Sequence, residues 1–210
     1  MTVAAVIPAY NEEKTIREII EVLKETNQIN KIIVVNDGST DNTYRVAKKT
    51  KVKVINLRKN IGKGGAMKVG FKKTNEDIIL FLDADLIGLT KKHIEDLISP
   101  VLNKKADMSL GVFVNGKIHT DIAHKITPFF SGQRAVKREL FSSIDEIEIS
   151  RYGVEMALTK YVKKNNIDFV KVKLQKLTHV TQEEKFGLIK GFCNRMKMYW
   201  DILKEIKLDK

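Results

Sequence analysis

The chain has 210 residues, 43% hydrophobic and 30% charged, which suits one core-forming domain and excludes a disordered polymer. Lys and Arg outnumber Asp and Glu by 38 to 26, a surplus that suits either an anionic partner or plain solubility. Cys193 is the single cysteine, which rules out an intrachain disulfide framework and a cysteine zinc cluster.

In chain order, Val3 to Ile7, Ile32 to Val35, Val52 to Leu57 and Ile78 to Leu82 are short apolar or β-branched runs. Strands buried on both faces of a parallel sheet have this pattern. Between the first two, Ile16, Ile19, Ile20 and Leu23 keep the spacing of an amphipathic helix. A second helix is expected to start at Thr40 or Asp41, either of which can cap it, and a third after the glycines at 62, 64 and 65. The alternation predicts an α/β fold, a doubly wound and mainly parallel sheet flanked by helices. Beyond it, Met108 to Val114 reads as a strand, Phe129 to Arg134 as a turn with a short strand, and Tyr152 to Lys163 as a helix. Phe169 to Leu174 reads as a further strand, and an amphipathic helix is expected from about Glu183 to Ile206. The expected division is a domain over 1–182, with halves at 1–115 and 116–182, followed by the helical tail 183–210.

In open sheets of this kind, ligands sit beyond the carboxyl ends of the strands. The segments there are Pro8 to Glu12, Asn36 to Asp41, Arg58 to Lys63 and Asp83 to Asp85, all polar and three of them carrying carboxylates. Asp83-Ala84-Asp85 places two carboxylates just past a buried strand. That arrangement asks for compensation by a hard divalent cation, Mg²⁺ or Mn²⁺, bridging to phosphates. Asn36-Asp37-Gly38-Ser39-Thr40-Asp41 has turn and cap chemistry, and Asp37 is placed to accept a hydrogen bond from a base N–H. Asn60-Ile61-Gly62-Lys63-Gly64-Gly65-Ala66 fails both common phosphate-loop patterns but offers close backbone approach, a helix start and a cation.

Together with Ile7-Pro8-Ala9-Tyr10-Asn11-Glu12-Glu13, these segments resemble the family 2 glycosyltransferases, in particular the dolichol-phosphate mannosyltransferase-like branch. The likeness covers residues 3 to 115. It implies the GT-A fold and a metal-dependent transfer of a hexosyl group from a UDP- or GDP-linked sugar to a hydroxyl or phosphate acceptor. It implies further that Pro8, Ala9, Tyr10 and Glu12 line the nucleotide pocket and that Asp37 reads the base. Lys63 and Gly64 would border that pocket, Asp83 and Ala84 would face the ribose, and Asp85, with Asp83, would hold the metal. His179, after a late strand, resembles the third metal ligand of the glucosyl- and mannosyl-3-phosphoglycerate synthases.

Ser131-Gly132-Gln133-Arg134-Ala135 resembles an acceptor-side loop, where Arg134 or Arg138 could hold a phosphate. Glu155 is the first candidate base for an acceptor hydroxyl, with Asp145, Glu146 and Glu148 as nearby competitors. The acceptor stays open between a lipid-linked phosphate and a phosphorylated small molecule, and so does inversion against retention. A nucleotidyltransferase is the competing enzyme class, but it would want a Gly-rich, Arg-containing loop after the first strand. A nucleic-acid binder is disfavoured because the positive charge reads as dispersed and the motif loops are acidic. The absence of a basic leader and of an apolar run of ~20 residues leads to the expectation of a cytoplasmic protein. A peripheral contact with the inner membrane face would run through the C-terminal helix.

Overall fold

A computed structural model describes residues 1–114, 131–144 and 146–180. The C-terminal helix expected beyond Glu183 lies outside these residues. By its internal contacts the chain divides into one unit of Met1–Leu177 and a second of Thr178–Lys210.

The first unit is built on a seven-stranded sheet. Its strands are β1 (Val3–Ala9), β2 (Lys31–Asn36), β3 (Lys53–Asn56), β4 (Ile78–Phe81), β6 (Met108–Phe113), β7 (Arg134–Lys137) and β8 (Phe169–Leu174). β5 (Leu86–Ile87) is a two-residue strand outside this sheet. The spatial order is β3-β2-β1-β4-β7-β6-β8. β3, β2, β1 and β4 run parallel, as their nearly continuous apolar runs predict, although edge strand β3 is only partly buried, whereas β7 pairs antiparallel with both β4 and β6. The helices are α1 (Ile16–Lys24), α2 (Thr43–Lys49), α3 (Lys63–Phe71), α4 (Lys91–Leu102), α5 (Arg138–Ser142) and α6 (Glu146–Lys164).

Alternation along β1 divides the core. Val3, Ala5, Ile7 and Ala9 pack with Ile16, Ile19, Ile20 and Leu23 of α1 and with Ile94, Leu97, Ile98 and Val101 of α4. Ala4 and Val6 face the other way, toward Met67 of α3 and Val154, Ala157, Leu158 and Val162 of α6. Burial of these side chains supplies the main driving force, at about 1.5–3 kcal/mol for each large aliphatic one.

Three sequence expectations change. α2 begins at Thr43, not at Thr40 or Asp41, and Asp41 Oδ1 accepts from the Thr43 amide at 2.9 Å from outside the helix. Gly64 and Gly65 do not form a loop before α3, because the helix starts at Lys63 and contains both. The strand expected near Phe129 to Arg134 runs instead from Arg134 to Lys137, where Ala135 and Val136 find buried places between β4 and β6. α4 went unrecognised in the sequence. Its start is signalled by a capping box in which His93 takes the usual Glu position, with the Thr90 amide donating to His93 Nδ1 at 3.2 Å.

α3 lies close on β1. A Cβ built on Gly70 would meet Val6 Cγ1 at 2.3 Å and Val35 Cγ2 at 3.2 Å. Gly70→Ala should therefore cost about 1–3 kcal/mol of stability through overpacking, read as a lower urea midpoint with an unchanged slope.

Candidate active site

The carboxyl ends of the four parallel strands form one rim, and the loops there are tied to one another. The Asn11 amide donates to Ser39 Oγ at 3.0 Å, the Glu12 amide to Thr43 Oγ1 at 2.7 Å and the Thr40 amide to Asn11 Oδ1 at 2.9 Å. Thr15 Oγ1 donates to the Ala84 carbonyl at 2.6 Å, fastening the Asp83–Asp85 turn to the start of α1. Gly38 has φ +70, and a Cβ there would lie 2.6 Å from the backbone of Lys59 and Asn60. That close approach lets the β2 and β3 loops meet. Asp37 is nearly fully buried and takes the Ile61 amide on Oδ1 at 2.8 Å. One of its oxygens thus serves the scaffold.

The charged centre joins three elements. Lys63, the first residue of α3, sets its ammonium 2.5 Å from Asp83 Oδ1 and 2.7 Å from Glu155 Oε1. Both carboxylates are about 15% exposed, and Lys63 about 40%. Burial alone would lower the Lys63 pKa, but the charges of Asp83 and Glu155 and their hydrogen bonds outweigh it and raise it well above its ordinary value. The second Asp83 oxygen accepts from Gln133 Nε2 at 2.8 Å, and Gln133 Oε1 in turn accepts from Ser131 Oγ at 2.9 Å. The sequence reading set Ser131 and Gln133 in an acceptor-side loop by resemblance but gave neither a role of its own.

Gly132 sits against this cluster. A Cβ there would meet the Asp83 carboxylate oxygens at 2.2 and 2.5 Å and Lys63 Nζ at 2.5 Å. Its lack of a side chain is what allows the β7 loop to close on the charged groups.

Two arginines expected to grip phosphate are engaged elsewhere. Arg134 is fully buried, with Nη1 donating to the Glu155 carbonyl at 3.0 Å and Nε and Nη2 to the Ser131 carbonyl at 3.2 and 2.5 Å. Desolvation lowers its pKa to about 10 despite the neighbouring Glu155 and Asp83 charges. Arg134 is therefore a brace behind the site, not a group that meets substrate. Arg138 lies at the opposite rim, where Nε donates to the Glu76 carbonyl at 3.0 Å and the guanidinium stacks 4.5 Å from the Phe71 ring centre.

The remaining expected residues fall as follows. Pro8 and Ala9 end β1 as buried strand residues, and Ala9 packs into the α1 core. Tyr10 is 41% exposed at the rim, and Glu12 is half-buried beside it. Gly64 stands in the first turn of α3, whose N-cap Gly62 provides no side-chain cap. Ala84 is buried between the two aspartates. Carboxylate oxygens of Asp83 and Asp85 lie within 4.8 Å of each other, a hard-oxygen pair suited to Mg²⁺ or Mn²⁺. His179 belongs to the second unit, where it ends the two-residue strand β9 (Thr178–His179). α6 is broken at Gly153 (φ 77, ψ 158), so Val154 and Glu155 open a fresh helical segment pointing at Lys63.

The chain is similar to known proteins. The family model for glycosyl transferase family 2 matches residues 4–161. The UDP-N-acetylglucosamine–dolichyl-phosphate N-acetylglucosaminyltransferase of Methanococcus voltae is 35% identical over 130 residues, covering 50% of this chain and 49% of that protein. The dolichyl-phosphate beta-glucosyltransferase of Homo sapiens is 39% identical over 104 residues, covering 42% of this chain and 32% of that one. Among solved structures, glucosyl-3-phosphoglycerate synthase from Mycobacterium tuberculosis, in complex with Mn²⁺, UDP and phosphoglyceric acid, superposes with a TM-score of 0.71 at 25% identity. That match covers 85% of this chain and 70% of the other. The chain spans roughly half the length of the curated relatives it matches. The mostly parallel sheet with its flanking helices is the GT-A fold expected from the sequence.

Lys63→Met would leave two neighbouring carboxylates without their shared cation. It should cost about 1–2 kcal/mol, below the range for a fully buried pair because Lys63 is partly exposed. The double variant Lys63→Met/Glu155→Gln should recover part of that loss in urea denaturation.

Proposed function

Because the chain belongs to glycosyl transferase family 2, we propose that it transfers a hexosyl group from a nucleoside-diphosphate sugar, UDP-linked in the first instance, to a phosphate-bearing acceptor, with Mn²⁺ or Mg²⁺ required. The observation that carries this reading is the Lys63–Asp83–Glu155 cluster with Asp85 beside it, at the rim where the parallel strands end. A UDP-bound structural relative and two relatives whose names specify phosphate acceptors support the choice of partners.

Each residue has a role in that reading. Asp37 offers its second carboxylate oxygen to a base N–H, and Tyr10 supplies an exposed ring beside it. The uncapped amides of the first turn of α3 and the Lys63 ammonium suit an anionic diphosphate. Asp85 and Asp83 would hold the metal; a pair of carboxylates suits Mn²⁺ or Mg²⁺. When bound, such an ion neutralises charge that builds on the departing diphosphate. Asp83, with both oxygens already hydrogen-bonded, keeps Lys63 and Gln133 in place for that purpose.

The pairing of Glu155 bears on the acceptor. Glu155 Oε1 is engaged by the Lys63 ammonium at 2.7 Å instead of standing open to an acceptor hydroxyl. A phosphate oxygen needs no base, since it is already a nucleophile. The proposal therefore favours a phosphate oxygen over a hydroxyl as the attacking atom.

UDP release from UDP-glucose, measured with Mn²⁺ and either a polyprenyl phosphate or 3-phosphoglycerate, tests this. Asp85→Ala should abolish the metal-dependent rate with either acceptor. Glu155→Gln should keep activity toward the polyprenyl phosphate within about tenfold. A loss of 10²–10⁴-fold would instead make Glu155 a general base and the acceptor a hydroxyl. Absence of metal-dependent UDP release with either acceptor would end the transferase reading.

A further inference from the structure

The net charge of the chain is not dispersed, contrary to its first reading. Residues 42–75 hold eleven Lys or Arg and no Asp or Glu, while the other 176 residues are nearly neutral, with 27 cations against 26 carboxylates. This segment is α2, β3 and α3, and β3 is an edge strand of the sheet. Lys48, Lys49, Lys51 and Lys53 are exposed along α2 and the start of β3. Among the described residues none of these four is in an ion pair, whereas Lys31 on the neighbouring strand β2 faces Glu76. At the carboxyl end of the same strand, exposed Arg58 and Lys59 flank Ile61, an aliphatic side chain 44% open to solvent.

Some of this charge has local uses. Lysines in the last turn of α2 complement its dipole, and lysines on an edge strand discourage further strand pairing. Neither use explains the complete exclusion of carboxylates from 34 successive residues that also include loops.

We infer that the β3 edge, from Lys48 to Ile61, is a docking surface for an anionic phospholipid bilayer. Charge complementarity is the main support: each lysine close to an anionic leaflet adds favourable energy without needing a particular partner atom. The composition separates a bilayer from a nucleic acid. Five of the six cations between Lys48 and Ile61 are lysines, point charges suited to a diffuse anionic surface, not the planar guanidinium that reads phosphate and base together. The one large hydrophobic residue of the segment that stands exposed is Ile61, which can enter a headgroup layer but cannot stack on a base. The loop carrying it is hydrogen-bonded to Asp37, so docking through this edge sets the candidate active site beside the bilayer and not on its far side. The inference goes beyond the transferase proposal and stands whichever acceptor is used.

Co-sedimentation of the full chain with phosphatidylcholine vesicles, with and without phosphatidylserine, provides the test. Binding should require phosphatidylserine and weaken as salt is raised. Lys51→Glu/Lys53→Glu should reduce partitioning at least about tenfold. Lys104→Glu/Lys105→Glu, an equal charge change at the end of α4, should leave it within about twofold. UDP release without vesicles, followed on the same variants, should stay at the parental level, so that a failure of docking is read separately from a failure of the transferase proposal. Equal binding to neutral vesicles, or no effect of the edge pair, would overturn the inference. So would loss of homopolymer RNA binding in the edge pair with no vesicle binding by the parent chain.

Discussion

One ammonium group organises the candidate site. Lys63 comes from the start of α3, Asp83 from the end of β4 and Glu155 from the reopened helix after Gly153, so the contacts at 2.5 and 2.7 Å join three separate chain segments. Two carboxylates so close and so little exposed would repel each other without that cation. The surrounding polar groups keep the arrangement rigid. Gln133 occupies the second Asp83 oxygen, and the buried Arg134 guanidinium ties the carbonyls of Ser131 and Glu155 together from behind.

The sheet explains why these groups meet where they do. Parallel strands all deliver their following loops to one rim, and helix α3 presents its uncapped amides there. β7 runs the other way, so the residues before it, not after it, reach the same rim. That reversal brings Ser131, Gly132 and Gln133 to the charged centre and sends Arg138 to the opposite one.

Much of this was legible from the residues. β1, β2 and β4 announce themselves as apolar runs, β8 by alternation, and Asp37, Lys63, Asp83 and Asp85 by falling just past strand ends. What stayed hidden had a physical reason in each instance. α4 is capped by His93, a residue type that does not usually mark a helix start. Gly64 and Gly65 looked like a loop because glycines weaken helices on average, yet both lie inside α3, which packs on β1 and β2 through Gly70. Arg134 resembled a phosphate ligand because sequence shows charge but not depth. The clustering of cations was missed because the surplus was weighed as a chain total and not by segment.

The bare backbone at Gly132 also bears on how such a site can diversify. Ser131 and Gln133, just before β7, form no ladder pair with the four parallel strands, so they can be exchanged with the sheet register intact. At Gly132 itself there is no such latitude, since any side chain would occupy the space of Asp83 and Lys63. Recruitment of new substrates is thus channelled to positions flanking a fixed pivot, which separates what can drift from what must stay.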